Sequence, residues 1–396
     1  MAKKTLKKLA QSKGASKKTS TTGKKRSRLY TIVANIITGF SLATVLLLLI
    51  SVASAYISPE KVRLLSLMGL AFPVFLGGAI FMFFISLLFA WRRSWIPLVG
   101  LLLSYNSIYC YFPINFPSPA PKQSIKVITY NTANFGLWSS GSKDKNDKKG
   151  ENRLVRDIIK ENPDIVGYQE GYGGEQFKKH VRPILRRNNY YAESESLGGS
   201  YLGCFSKYPV VGKDVLCKEG GNGAVLFKIK LSEVDTLYFV VTHLKSMSLS
   251  SDDREMFKNN VDNLRDDTTV DSLNYEGLSH VARKIARASV PRALQADTIA
   301  QFIQENSHRN LVVCGDFNDT PVSYTYRKIL NSANLGDAYV KSGNGFGRTF
   351  NRYAMVVRID HIFYSKDHWE PFAGHILNRP DRSDHNAVSV NLKRKK

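Results

Sequence analysis

Leu311-Val312-Val313-Cys314-Gly315-Asp316-Phe317-Asn318-Asp319-Thr320-Pro321 is the stretch on which the reading of this chain turns. Four apolar residues bounded by a glycine read as a buried strand, and Asp316, Asn318 and Asp319 follow directly beyond its end. A buried strand thus delivers polar groups to the rim of a sheet. If extended geometry continues, Asp316 and Asn318, two apart, point to one side, an acceptor beside a mixed donor and acceptor. That pairing suits a metal or a phosphate. Asp319-Thr320-Pro321 has turn composition and is read as a turn.

Five other segments deliver polar groups in the same way. Val127-Ile128-Thr129-Tyr130 closes on Asn131, Ile165-Val166-Gly167-Tyr168-Gln169 on Glu170, and Phe239-Val240-Val241-Thr242 on His243. Arg358 to Phe363 carries Asp360 within an apolar strand, and Ser383-Asp384-His385 precedes the last strand. Each has an ordinary explanation when taken singly: a turn, a loop acid, a satisfied histidine, a surface charge. Together they propose a hard-metal site, because carboxylates with amide oxygens suit magnesium, manganese or calcium. The absence of Cys and His clustering argues against zinc.

In order and in local wording these segments resemble the endonuclease/exonuclease/phosphatase family, metal-dependent phosphoesterases that include DNase I-like nucleases, abasic-site endonucleases, neutral sphingomyelinases and inositol polyphosphate phosphatases. The resemblance runs from about Lys126 to Leu392. Gly315-Asp316-Phe317-Asn318 and Ser383-Asp384-His385 are its most specific parts, with Gln169-Glu170 and Thr242-His243-Leu244 in support. It implies an α/β (α+β) four-layer sandwich of two mixed β-sheets flanked by helices, with the active site where strand ends of both sheets meet. It also implies that Glu170 is the principal ligand of Mg2+ (or Mn2+ or Ca2+), assisted by Asn131 and, depending on the ion's position, Asp384. Asp316 would orient or deprotonate the attacking water, and Asn318 would hold that water or a phosphate oxygen. His385, hydrogen-bonded to Asp360, would contact the phosphate or act as base, and His243 would donate to a phosphate oxygen.

Around these segments the pattern predicts a mixed sheet system. Strands are expected at 124–130, 165–168, 201–205, 210–217, 224–229, 237–242, 356–364 and 387–392, with helices near 152–161, 175–187, 293–305 and 324–332. A loop is expected at 139–151 and a Gly-rich one at 342–348. Ser246 to Pro291 is crowded with polar residues and reads as an insertion. The four cysteines form neither a metal-ligand spacing nor a disulfide framework. A Cys204–Cys217 bridge is conceivable, but free buried thiols are the expectation.

The chain before this domain is of another kind. Residues 1–28 hold eleven Lys or Arg and no acid, and are too poor in apolar residues to bury anything. From Lys122 onward 41 basic and 32 acidic residues leave a net +9, so about half of the whole-chain charge of +23 is the tail, and the total is not read as a nucleic-acid footprint. Uncharged runs at 30–57, 64–90 and 95–112 are 28, 27 and 18 residues long and are read as three transmembrane helices within a membrane region, 29–114. A competing reading makes the first a cleavable signal, although its run is about twice an h-region's length. A Pro-rich linker, 115–121, leads to the domain at 122–396. The basic tail and Arg92-Arg93 place the N-terminus in the cytoplasm; three spans then put the domain outside it and two would leave it inside, so the third segment decides the compartment. The expectation is a membrane-anchored phosphodiesterase facing outward, with the bilayer as partner and phospholipid head groups as substrate. A nuclease acting on nucleic acid is the rival within the enzyme class. A non-catalytic scaffold is the reading of another class, and it sits poorly with the full set of polar residues.

Overall fold

The structure, a computed structural model, describes residues 28–136, 152–247, 249–250, 252–256, 259–260, 275–350, 357–378 and 382–395. The basic tail before Arg28, the loop expected at 139–151 and part of the expected insertion lie outside them.

Among the described residues the region after the helices is built from twelve strands: β1 (Ser124–Asn131), β2 (Ile165–Gly171), β3 (Tyr191–Ser196), β4 (Tyr201–Ser206), β5 (Val210–Glu219), β6 (Asn222–Lys230), β7 (Thr236–His243), β8 (Leu311–Asp316), β9 (Leu335–Asp337), β10 (Asp360–Ser365), β11 (Trp369–Leu377) and β12 (Ala387–Arg394). They form two six-stranded sheets, ordered β11-β12-β1-β2-β4-β3 and β5-β6-β7-β8-β10-β9. Each sheet is mixed, since β1–β2 and β7–β8 pair in parallel and their neighbours antiparallel. Alternation along each strand sorts side chains between two faces. Val127, Ile165, Phe239, Val241, Val312, Cys314, Ile362 and Val388 all enter one core between the sheets. Ile128, Tyr130, Val166 and Tyr168 face away, into a second core. That core is covered by helices at Arg153–Lys160, Gly174–His180 and Arg182–Arg187. Val240, Val313 and Phe363 face away on the other sheet, toward Tyr275–Glu305 and Tyr324–Leu330. Two mixed sheets flanked by helices are the result.

Several elements differ from the sequence reading. The helix expected from 293 begins at Tyr275 and runs through Pro291 to Glu305, so the last part of the expected insertion, from Tyr275 to Pro291, is helical. Pro291 had marked an end; instead Val281, Ala286 and Ala288 continue the buried stripe ahead of it. The expected helix at 175–187 is split at Val181, just before Arg182-Pro183. β10 begins at Asp360, four residues later than expected, because Val357 instead bridges Phe350. β3, β9 and β11 went unpredicted, being short, polar or irregular. All four cysteines are free. The Cys204–Cys217 bridge is therefore not formed; Cys204 lies in β4 of one sheet and Cys217 in β5 of the other.

Two helices of the N-terminal region are long and apolar enough to cross a membrane: α1 (Arg28–Ser54) and, after a short α2 (Leu65–Leu70), α3 (Phe72–Phe89). The third expected span is not one such helix. It is broken at Ser104 into α4 (Trp95–Leu103) and α5 (Tyr105–Tyr111), each too short to cross alone. The reason lies in what α5 touches. The Cys110 carbonyl accepts from Arg358 Nη2 at 2.5 Å, and Ser107 Oγ lies 3.5 Å from Arg327 Nη2. Both arginines are buried in the catalytic region, so α5 serves it as a docking surface. The expected linker is tied down as well. Asn115 N–H donates to Asn344 Oδ1 at 2.6 Å, and Asn115 Nδ2 to the Val340 and Gly343 carbonyls.

Candidate active site

Strand alternation places four of the site residues before any chemistry is considered. Asn131 has the same parity as Val127, His243 as Val241, Asp316 as Cys314, and Asp360 as Ile362, and all four partner residues point between the sheets. Register then sets them side by side: His243 opposes Asp316 across β7–β8, and Asp360 opposes Asp316 across β8–β10. Glu170 has the opposite parity. It reaches the cleft because β2 is irregular between Tyr168 and Gly171, with Glu170 at φ 51°. A bulge of this kind re-aims a side chain at the end of a strand.

The groups close on one another across the sheet interface. Asn131 Nδ2 donates to Glu170 Oε1 and to Asp316 Oδ2, both at 3.0 Å. His385 Nδ1 lies 2.8 Å from Asp360 Oδ2, and its Nε2 lies 3.7 Å from Asp316 Oδ2. His243 Nε2 lies 3.5 Å from Glu170 Oε1 and 3.8 Å from Asp316 Oδ2. Asn222 Nδ2 stands 3.4 Å from His243 Nδ1. If Nδ1 accepts that hydrogen bond, the ring proton is on Nε2, the side facing the carboxylates. A cleft of about 390 Å³ opens over this cluster, lined by Glu170, His243, Asp316, Asn318, Asp384 and His385 among others.

Asn318 departs from the expected geometry. Its φ is 51°, so the strand does not continue. Its backbone N–H donates to Asp316 Oδ1 at 2.8 Å, and its Nδ2 to the Leu244 carbonyl at 3.0 Å. Asn318 thus fixes one Asp316 oxygen while still lining the cleft. Asp319 keeps to the turn, where it is paired with Arg292 at 3.1 Å.

Electrostatics single out the His385–Asp360 pair. Burial pushes the His385 imidazole down, but the carboxylates of Asp360 and Asp316 override it and raise it to about 10. Burial pushes Asp360 up while His385 opposes it. The two therefore hold a proton jointly. Asp316, Asp360 and His385 also offer donor atoms within 4.8 Å of one another. That trio reads as a proton-handling chain rather than a cation cage, because Nδ1 is already bound to Asp360. Glu170, about one-third exposed, and Asp384 are the carboxylates that face the open cleft. Four acids stand here against two imidazoles, and Asp360 Oδ1 is buried without a partner. Such an excess of oxygen donors fits a hard divalent cation.

Sequence reasoning missed several supports. Thr349 Oγ1 accepts from the N–H groups of Ile359 and Asp360, which fixes the start of β10. Phe350 sets its ring at 71° to that of His385, with centroids 5.2 Å apart. Ser383 Oγ donates to the Asn131 carbonyl and accepts from His385 N–H, tying the segment before β12 to the end of β1, its neighbour in the same sheet. Their only sequence signal is proximity to the motif, as with Ser383. Arg254, Met247 and Leu249 bring the expected insertion to the cleft. Arg182, Arg186, Arg187, Arg283 and Arg287 do not line it.

Facing strand ends of two mixed sheets, with carboxylates, an amide and two imidazoles around one cleft, define a metal-dependent phosphoric ester hydrolase. The chain belongs to the Endonuclease/Exonuclease/phosphatase family, whose sequence model matches residues 128–385. A model of a domain of unknown function matches residues 34–111. No curated protein matches the chain. Similar solved structures include the human Nocturnin catalytic domain with bound sulfate anion (18% identity, 70% of this chain, 97% of that one, TM-score 0.48). An endonuclease/exonuclease/phosphatase from Bacteroides vulgatus is 20% identical over 69% of this chain and 100% of its own, with TM-score 0.46. An AP endonuclease from Archaeoglobus fulgidus is 14% identical over 67% and 98%, with TM-score 0.45.

Proposed function

We propose that the chain is a membrane-anchored phosphodiesterase that uses Mg2+, or Mn2+ or Ca2+, and acts on phospholipid head groups. One observation carries the hydrolytic part: the chain of contacts from Asp360 through His385 to Asp316, joined to Glu170 by the Asn131 amide. Glu170, with Asn131 and Asp384, would hold the ion. When bound it supplies positive charge against the phosphoryl oxygens. Asn131 presents N–H to both carboxylates, and a half-turn of an amide exchanges its oxygen and nitrogen.

The rest follows from the chain's own groups. Asp316 has one oxygen held by Asn318 N–H and the other near both imidazoles, a fixed acceptor for the proton of a water. His385, braced by Asp360 and held protonated by the neighbouring carboxylates, faces the same space and donates to a phosphate oxygen. His243 aims Nε2 into the cleft and donates to a phosphate oxygen, and Asn318 holds the water or a second oxygen.

The domain assignment behind this reading is a basic tail at 1–28, a membrane region at 29–114, a linker at 115–121 and a catalytic domain at 122–396 with an insertion at 246–291. Anchoring is supported by α1 and α3 and by the path of the third segment. Arg93 Nη1 donates to Asn35 Oδ1, Gly100 lies against Val45, and Tyr111 clusters with Leu48 and Ala55. Though broken, α4 and α5 follow α1 from its basic end to its far end. About 20 residues of α1 separate Asn35 from Ala55, close to the roughly 30 Å of a hydrocarbon core. On this reading the third segment crosses, and the catalytic domain lies on the side opposite the basic tail, outside the cytoplasm. Tethering concentrates lipid head groups at the site. Met247, Leu249, Phe350, Val357 and Ile359 give the cleft the apolar walls a lipid requires.

The test is hydrolysis by the detergent-solubilised full chain. Bis-p-nitrophenyl phosphate should turn over with magnesium or manganese, and sphingomyelin or phosphatidylcholine should outcompete DNA and RNA as substrate. No turnover with any divalent ion would overturn the hydrolytic reading; preference for nucleic acid would overturn only the lipid one.

A further inference from the structure

A second cavity, of about 240 Å³, lies away from the catalytic cleft, between the end of α1 and the helix at Tyr324–Leu330. We propose that it binds the phosphate of an anionic phospholipid, as a structural site distinct from catalysis. This rests on the membrane anchoring proposed above. Its lining includes Ala55, Tyr56, Ala300, Tyr324, Arg327 and Lys328; of the two cations Lys328 is paired with Asp297, which leaves Arg327 to draw an anion.

Arg327 is the informative residue. It is 6% exposed, yet no carboxylate pairs with it among the described residues. Its neighbours are the Tyr56 ring, 5.4 Å from the guanidinium carbon, and the Ser107 hydroxyl at 3.5 Å, and its Nε is buried without a partner. The other cations nearby are neutralised. Arg358, just as buried, meets Asp337 at 2.8 Å, and Lys328 meets Asp297 at 3.2 Å. A buried guanidinium without a counter-charge is costly, and a guanidinium is the group that binds phosphate most specifically. An anion entering the cavity supplies that counter-charge.

Position chooses the source of the anion. Ala55 and Tyr56 follow directly on the last turn of α1, where the apolar segment ends. Tyr56, more than half exposed, has the place of an interfacial aromatic, at head-group depth. The cavity thus opens where lipid phosphates lie, and shares no lining residue with the catalytic cleft.

The experiment uses the full chain in nanodiscs of phosphatidylcholine, with and without phosphatidylglycerol. Phosphatidylglycerol should raise the melting temperature of the wild-type chain. Arg327→Gln should abolish that increment and Arg327→Lys should keep part of it. Lys328→Glu, at the exposed rim, places a carboxylate beside the phosphate and should abolish the increment even if Arg327→Gln does not fold. A full increment in either Arg327→Gln or Lys328→Glu would overturn the proposal. Inorganic phosphate added to the detergent-solubilised chain should not reproduce the effect; if it does, the site belongs to a soluble anion and the lipid assignment is wrong. A chain that fails to co-float with vesicles of either composition overturns the anchoring itself, which separates that failure from failure of the site.

Discussion

Glu170, His385 and Gly315 show three different ways in which one residue matters. Glu170 sits at the cleft mouth and is about one-third exposed, so Glu170→Gln removes charge without opening a core. It should lower turnover of a phosphodiester by about 100-fold or more while leaving the thermal melt near wild type. Near-full activity would remove Glu170 from the ion-holding role. His385→Ala should also abolish turnover, but here the melt should fall, because Asp360 is left buried with both oxygens bare. The cost is about 1–3 kcal/mol. Gly315 has φ 141°, and a Cβ there would lie 2.0 Å from the Thr242 carbonyl oxygen. Gly315→Ala should therefore destabilise by about 1–3 kcal/mol from backbone strain alone, and should reduce activity by displacing Asp316. Urea unfolding with parallel kinetics measures both.

At the scale of elements, one ion pair joins the start of β10 to the rest. Arg358 Nη1 meets Asp337 Oδ2 at 2.8 Å with both side chains about 1% exposed, and Arg358 Nη2 also holds the Cys110 carbonyl of α5. Asp337 further accepts from Tyr326 OH and, through Oδ1, from Val340 N–H. Breaking such a pair strands a charge, so Asp337→Asn should cost about 3–5 kcal/mol. Burial raises the Asp337 carboxyl, but the charges of Arg358 and His361 override it and hold it well below the usual carboxylate range. A depressed carboxylate contributes stability that is present above its unfolded value, about pH 4, and is lost as pH falls through the folded one. Wild-type stability should thus fall below about pH 4, and Asp337→Asn should flatten that acid limb. An unchanged acid limb in the variant would show that another group controls it.

For the whole molecule, the helical region and the catalytic region form one packed body. Val322 lies in the same apolar cluster as Leu48, Phe72 and Tyr111, and Arg358 and Asn115 bond across the joint. On the topology proposed above, a reporter fused after Lys396 that works only outside the cytoplasm should be active. An inactive fusion would refute the path given to α4 and α5. Chelation of divalent ions should abolish hydrolysis without dissociating this joint, because neither Arg358 nor Asn115 uses an ion. Recovery with magnesium, followed by activity and by size-exclusion profile, checks both parts.

Much of the candidate site was legible because strands have period two and end in punctuation. Once Val127, Val241, Cys314 and Ile362 face the core, Asn131, His243, Asp316 and Asp360 must share that face, and their order along the chain matches the family. Of the long-range contacts the resemblance implied His385 to Asp360, and the others were not legible. Asn131 to Asp316, His385 to Asp316, and Arg358 to Cys110 span 185 residues or more in two cases and 69 in the other, by difference of residue numbers, and no local pattern encodes such pairs. Glu170 could be named from its motif, but its entry to the cleft depends on a bulge. The continuation of a helix through Pro291, the break at Ser104 and the lone charge of Arg327 were likewise decided by packing. Local propensity and alternation fixed the strands and the face each residue takes. Only the meeting of two sheets and a helical region decided which faces touch, since that depends on free energy summed over residues far apart in the chain.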